Sequence, residues 1–334
     1  MFFSLKSNKM FFLFFLFIST FISISANSWF GCWIGLEINL LSFIPLISNS
    51  KNLLSNEAAL KYFLIQSIAS INFLFMILLK LIFFNFFSNI FSIMMNLPLI
   101  MKLGSFPFHF WFPNIVEGMS WTNNFILMTW QKISPMILLS YFFNKNFLIL
   151  ILVMNSIIGA IGGLNQTSLR KIMAFSSINN LSWMISSMMI SENLWLFYFS
   201  LYSFLISIMC FLFNTFNMYF INQLYILNLN PMLKFTFLIN FLSLGGLPPF
   251  IGFFPKWIII NFLMMNNFMF ISFIFIMMSL IMLFFYIRIS YSSLMFNYLK
   301  LKWLKIFSKK NNNLINFLSM ISITGMIFSN FFFF

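Results

Sequence analysis

The sequence predicts an all-α polytopic membrane protein. About eleven spanning helices are expected, as two inverted five-helix repeats with interrupted helices plus one C-terminal helix. Three observations carry this. Of 334 residues, 62% are hydrophobic and 7% charged, with mean hydropathy +0.99. A soluble domain of this size cannot hide that much apolar surface. Apolar runs of about 20 residues, the length that crosses hydrocarbon, recur along the whole chain. Two glycine- and proline-bearing stretches, MKLGSFPFHFWFP from Met101 and SLGGLPPFIGFFPKW from Ser243, interrupt runs that lie five spans apart.

The spans are expected near 5–26, 28–48, 57–86, 89–111, 123–143, 147–166, 170–190, 194–217, 235–263, 267–290 and 312–333. Lys6 and Lys9 before Phe11 resemble the start of a signal peptide. No small-residue cleavage site follows, so this run reads as the first span. The Asn-rich stretch from Asn214 to Asn230 reads as a soft loop. The chain reads as one membrane domain over 1–334. Its parts are a first repeat at 1–143, a second at 147–290, and a basic loop with a last helix at 291–334. Five is an odd number of spans, so the second unit would cross in the opposite sense, as in transporters built from inverted repeats. Aligning Leu103-Gly104 with Leu244-Gly245 leaves Lys102 before its break and Lys256 after its own.

Loop charge orients the chain. Lys6, Lys9, Lys51, Arg170, Lys171, Lys234, Arg288 and five further lysines between 300 and 310 fall on one side. Only Lys80 and Lys145 fall on the other. The positive-inside rule places the N-terminus in the cytoplasm-equivalent compartment and the C-terminus opposite. The net charge of +14 therefore reflects topology and not nucleic-acid binding. Phe occurs 55 times and Met 26 times, Val twice and Asp never. That bias fits A+T-rich codons and points to a small genome such as an organelle's; a bacterial parasite is the other source of such bias.

Four charged residues stand where hydrocarbon is expected: Glu37, Lys102, Lys132 and Lys256. Each costs about 2.5–3.5 kcal/mol at the bilayer centre on insertion scales. They are expected to face the bundle interior and meet partners or water. One reading is a set of buried pairs that only fix helix register. Buried pairs are poor stability devices, which favours a proton relay. In that relay Glu37 pairs with Lys102, and Lys132 and Lys256 continue the line. A helix break beside a lysine supplies the polar, water-accessible backbone such a path needs. His109, inside the first break, is either a packed ring or part of the path. Glu57 and Lys61, spaced i, i+4, read as a helix-end ion pair. Glu117 and Glu192 read as loop residues. Thr167 or Ser168 is expected to cap the next helix. Asn165-Gln166-Thr167 fits a glycosylation sequon, but the basic residues beside it argue against modification. Cys32 and Cys210 read as core thiols. No metal cluster, phosphate loop or dinucleotide fingerprint is present in the sequence, so no cofactor is expected in this chain.

Several stretches, in order, resemble a known family: NSWFGCWIGLEINLLSFIPL, EAALKYFLIQSIAS, MKLGSFPFHFWFP, TWQKISP, IGGLNQTSLRKIMAFSSINNLSWM and LSLGGLPPFIGFFPKW. They are similar to the second-subunit family of mitochondrial NADH dehydrogenase, antiporter-like membrane subunits of respiratory complex I. The match covers roughly residues 27 to 290. It implies an eleven-helix, proton-pumping subunit of the inner-membrane arm, with its N-terminus facing the matrix and its C-terminus the intermembrane space. It also implies that the essential glutamate is Glu37, that the lysine line is Lys102, Lys132 and Lys256, and that His109 matches too. Asn180 departs from the pattern, since relatives often carry His there. The implied partners are a neighbouring antiporter-like subunit, a small quinone-side subunit and membrane lipids. Flavin, iron–sulfur clusters and quinone would bind other subunits. A free-standing cation/proton antiporter is the competing reading; four acids in all, with no Asp, count against it. A purely structural membrane subunit is the third.

Overall fold

The computed structural model describes residues 7–49, 52–82, 88–226 and 231–295. It is all-helical; among the described residues the one β feature is an isolated bridge between Ser168 and Phe220. The chain divides into two compact units, Met1–Ile151 and Leu152–Phe334.

In the first unit, α1 (Ser7–Ser25), α2 (Trp29–Ile47) and α3 (Leu53–Ile82) form successive antiparallel neighbours. Ser28 caps α2 by accepting from the Gly31 N–H at 3.2 Å. Next comes the interrupted element: α4 (Ser88–Leu103), a seven-residue break, and α5 (Trp111–Gly118), with both helices against α3. Then α6 (Trp121–Met128) and α7 (Trp130–Tyr141) follow one line with a one-residue interruption at Thr129, and α7 packs on α1 and α4. The border between the units runs through α8 (Lys145–Gly163).

The second unit is built around α9 (Leu169–Ile190), which is buried along most of its length. This helix carries Ser176, Ser177, Ser182, Ser186 and Ser187 in a setting where water cannot satisfy hydroxyls. Each serine donates to the carbonyl three residues back, at 2.6–2.8 Å, which makes a polar helix tolerable inside apolar surroundings. Around it lie α10 (Glu192–Thr215), the short α11 (Ile221–Ile226), a second interrupted element, α12 (Pro231–Gly245) and α13 (Phe253–Met265), and α14 (Met269–Met295).

Among the described residues, six helices (α1, α2, α3, α8, α10 and α14) are long and apolar enough to cross a membrane. Leu41, Phe63 and Phe273 are among many large apolar side chains left outward, as lipid or a neighbouring subunit would require.

Several local expectations change. The fourth span is interrupted as expected, at 104–110 where Gly104 turns left-handed, but its second part, α5, continues past 111 to Gly118. Glu117 accordingly lies in the last turn of α5, not in a loop. Glu192 is the first residue of α10, because the Ser191 hydroxyl accepts from the Leu194 N–H and starts the helix there. Ser168 precedes α9, but its hydroxyl makes no capping bond. The backbone does that work: Leu169 N–H donates to Tyr219 O (2.9 Å) and Ile221 N–H to Thr167 O (3.1 Å). The loop expected over 214–230 contains α11. Lys234, expected in that basic loop, is buried in the first turn of α12, because Pro231 starts the helix earlier. The expected last span at 312–333 lies outside the described residues.

Candidate functional site

The two breaks share one local design. Gly104 (φ +69°) and Gly246 (φ +83°) end their helices in the left-handed region that only glycine adopts without strain. Behind each, an N–H reaches five residues back: Ser105 to Ile100 O and Leu247 to Leu242 O, both at 3.3 Å. Each break lasts seven residues, and each helix resumes after a residue in helical conformation, Phe110 or Gly252. The register is therefore Gly104 with Gly246, one residue off the alignment on Leu-Gly. In that register GSFPFHFWFP matches GLPPFIGFFP at Gly, Pro, Phe, Phe and Pro. Lys102 then stands opposite Leu244, Lys256 opposite Asn114, and His109 opposite Ile251.

The breaks differ in who caps the freed carbonyls. In the first, neutral donors serve: Gln66 Nε2 donates to Lys102 O (3.3 Å) and Trp111 Nε1 to Met101 O (3.2 Å). In the second, the Lys256 ammonium donates to Leu244 O (3.3 Å) and Gly245 O (3.0 Å).

Lys102 and Lys132 line one cavity in the first unit, together with Asn39, Tyr62, Gln66 and Gln131. Its volume open to water centres is about 20 Å3, room for one water. Lys132 is 1% exposed and its ammonium lies 5.7 Å from the centre of the Phe112 ring. The helix is disturbed on both sides of it. Thr129 is distorted from ideal helical angles (φ −115°, ψ −74°), its hydroxyl donating to Phe125 O at 2.7 Å, and Pro135 lacks the N–H that would bond the Gln131 carbonyl. Across the cavity, Asn39 and Gln131 exchange two hydrogen bonds, Asn39 Nδ2 to Gln131 Oε1 at 2.9 Å and Gln131 Nε2 to Asn39 Oδ1 at 3.0 Å.

Glu37 is half-buried on α2 and does not line this cavity. It makes no ion pair with Lys102 within 4.0 Å. The expected Glu37–Lys102 pair is thus open in this state. His109 is buried inside the break, its ring centre 4.0 Å from that of Phe110, and is not part of the cavity lining. Glu57 and Lys61 form the expected i, i+4 pair at 2.5 Å, largely exposed.

Lys256 occupies a separate cavity within the second unit, lined also by Asn180, Tyr198, Tyr202 and Ser243. The Tyr198 hydroxyl donates to Asn180 Oδ1 (2.9 Å), and Asn180 Nδ2 donates to Ser176 O (3.0 Å). Tyr202 bonds the Ser177 side chain, and the Trp183 ring lies 5.9 Å from the Lys256 ammonium. Sequence reasoning singled out the charges and Asn180 but missed Asn39, Gln66, Gln131 and the tyrosines. Among the described residues no group of three His, Cys, Asp or Glu side chains comes together, and Cys32 and Cys210 are free, buried thiols.

Broken helices with lysines buried against small polar cavities define a class: helical membrane proteins that carry charge or protons through their interior. Residues 26–282 match the model of the NADH:quinone oxidoreductase/Mrp antiporter transmembrane family, and the chain belongs to that family. The chain is 49% identical over 262 residues to the NADH-ubiquinone oxidoreductase chain 2 of Anopheles gambiae, covering 77% of each. It is 50% identical over 269 residues to that of Aedes aegypti, again covering 77% of each. Among solved structures, its fold is similar to a chain of respiratory complex I from Thermus thermophilus (TM-score 0.82, 18% identity, 96% of this chain and 77% of that one). It is also similar to a chain of the Mrp complex from Dietzia (TM-score 0.77, 12% identity, 96% and 75%).

Proposed function

We propose that this chain is a proton-translocating, antiporter-like subunit in the membrane arm of NADH:ubiquinone oxidoreductase, in the mitochondrial inner membrane. The observation that carries the reading is the pair Lys102 and Lys132, both buried and both on one water-sized polar cavity beside a helix break. Lysine suits a relay because burial disfavours its charge and a nearby carboxylate favours it. Glu37 supplies that carboxylate from outside the cavity, and closing on Lys102 would hold its proton. Lys132 and Lys256 continue the line, with His109 in the break as an accessory. NADH, flavin, iron–sulfur clusters and quinone belong to other subunits, and redox energy reaches this chain as charge rearrangement.

The full architecture we propose is eleven helices, in repeats 1–143 and 147–290 with an appended segment 291–334. The shared register of the two breaks supports it. The N-terminus faces the matrix and the C-terminus the intermembrane space, as loop charge requires. The neighbours are a second antiporter-like subunit, a small quinone-side subunit and lipid. A free-standing cation antiporter is the weaker reading, since the whole sequence holds four carboxylates and no Asp to coordinate a cation.

The test is Lys132→Met in the assembled complex, reconstituted into liposomes. NADH-driven proton uptake is expected to collapse while assembly persists. Undiminished pumping would assign this chain a structural role.

A further inference from the structure

One polar link at the first cavity involves no charge, the Asn39–Gln131 amide pair. It joins α2 to α7 across 92 residues of sequence by two reciprocal bonds of 2.9 and 3.0 Å. Two neutral amides closing on each other inside a membrane protein satisfy themselves, but so would two apolar side chains, with less polar area to bury. The position of the pair is more informative. Asn39 and Gln131 both line the cavity that holds Lys102 and Lys132, and Gln131 directly precedes Lys132. The helix that carries Gln131 is loosened before it at Thr129 and after it at Pro135.

We propose that the Asn39–Gln131 pair is the gate between Lys102 and Lys132. When the pair is closed, each amide spends its facing donor and acceptor on the other, and neither group is available to a hydrogen-bonded chain between the lysines. When it parts, the freed carbonyl oxygens accept and the freed N–H groups donate. Together with the one water the cavity can hold, they complete a hydrogen-bonded chain between the two amines. A proton then leaves the ammonium of one lysine for the water, the water gives one to the neutral amine of the other, and one N–H bond breaks for each that forms. The amides align the chain and hold no net proton. They are positioning residues, and this inference rests on the relay reading above.

The experiment uses the whole complex in liposomes, with Lys132→Met run alongside. Gln131→Leu removes the link and is expected to lower coupled proton pumping as far as Lys132→Met does. Gln131→Asn keeps the amide but shortens it, so the pair cannot close. It is expected to keep NADH oxidation, yield fewer protons per NADH, and speed the collapse of an imposed pH gradient. The double exchange Asn39→Gln with Gln131→Asn restores the pair's length and is expected to restore the proton yield. A mere clamp between α2 and α7 predicts otherwise: less assembled complex in each single variant, with protons per NADH unchanged in what assembles. That result overturns the gate. If Lys132→Met fails to pump while both Gln131 variants pump normally, the relay stands and the gate falls. If Lys132→Met also pumps normally, the relay reading itself is wrong.

Discussion

The two helix breaks are the same structure used in two ways. Both end on a left-handed glycine, both last seven residues, and both resume at Phe-Pro pairs in register. In the first, an amide and an indole cap the exposed carbonyls, and the lysine that belongs to the break keeps its ammonium for the cavity. In the second, the lysine itself is the cap. A charged hydrogen bond is worth roughly 1.5–3 kcal/mol, so Lys256 helps hold its break together. The same backbone problem is solved with neutral groups in one place and a titratable one in the other; on the proposed relay, that separates structure from chemistry in the first unit and couples them in the second.

The sharpest way to break this comparison is to remove each lysine. Lys102→Met is expected to abolish pumping through this chain with assembly and thermal stability close to wild type. Lys256→Met is expected to abolish pumping and also to lower the stability of the second unit by about 3 kcal/mol, since two carbonyls lose a charged donor. Thermal denaturation of the purified complex, read beside proton uptake, checks both. Equal stability in the two variants would show that the Lys256 bonds carry no structural weight.

Substituting the glycines comes next. Alanine in the left-handed region costs about 1–2 kcal/mol at either site. What the new methyl meets differs. At Gly104 it presses on Phe112 and Trp111 at 3.0–3.1 Å, rigid rings in a packed wall. At Gly246 it meets the Lys256 ammonium at 2.9 Å, the far end of a long side chain that can move only by giving up its bonds to Leu244 O and Gly245 O. Gly104→Ala is therefore expected to lower stability through packing strain, and Gly246→Ala to lower stability and pumping together. Proton uptake per assembled complex against melting temperature distinguishes the two.

Much of this was legible in the sequence, for physical reasons that also explain what was not. Long apolar runs report spans because hydrocarbon sets their length. Glu37, Lys102, Lys132 and Lys256 stand out because a charge in such a run is costly. The register of the two breaks differs by one residue from the Leu-Gly alignment because Gly245 and Gly246 are both permitted at the turn. Only the spacing Gly-x-x-Pro-Phe-x-x-x-Phe-Pro shared with residues 104–113 separates them. Lys234 was misplaced because loop charge counts sign and not depth. Asn39 with Gln131, and Gln66 with the Lys102 carbonyl, join residues 92 and 36 apart. No local spacing encodes such pairs. The interruption at Thr129 has only a weak sequence signal, the nearby Pro135.

The smallest expected effect falls on Gln66, and it tests the neutral cap directly. Gln66 is buried on α3 and gives an N–H to the carbonyl of Lys102, while its side chain also lines the cavity. Gln66→Leu leaves that carbonyl bare, at about 1–3 kcal/mol if it stays unsatisfied and less if the water the cavity can hold takes the place of the amide. If the amide serves only to cap, the variant melts slightly earlier and each assembled complex pumps as before. If pumping falls by as much as in Lys102→Met, then Gln66 acts on the lysine's amine and not only on its backbone. The first break would then couple capping to proton transfer just as the second does, and the difference between the two units would lie only in which side chain carries the charge.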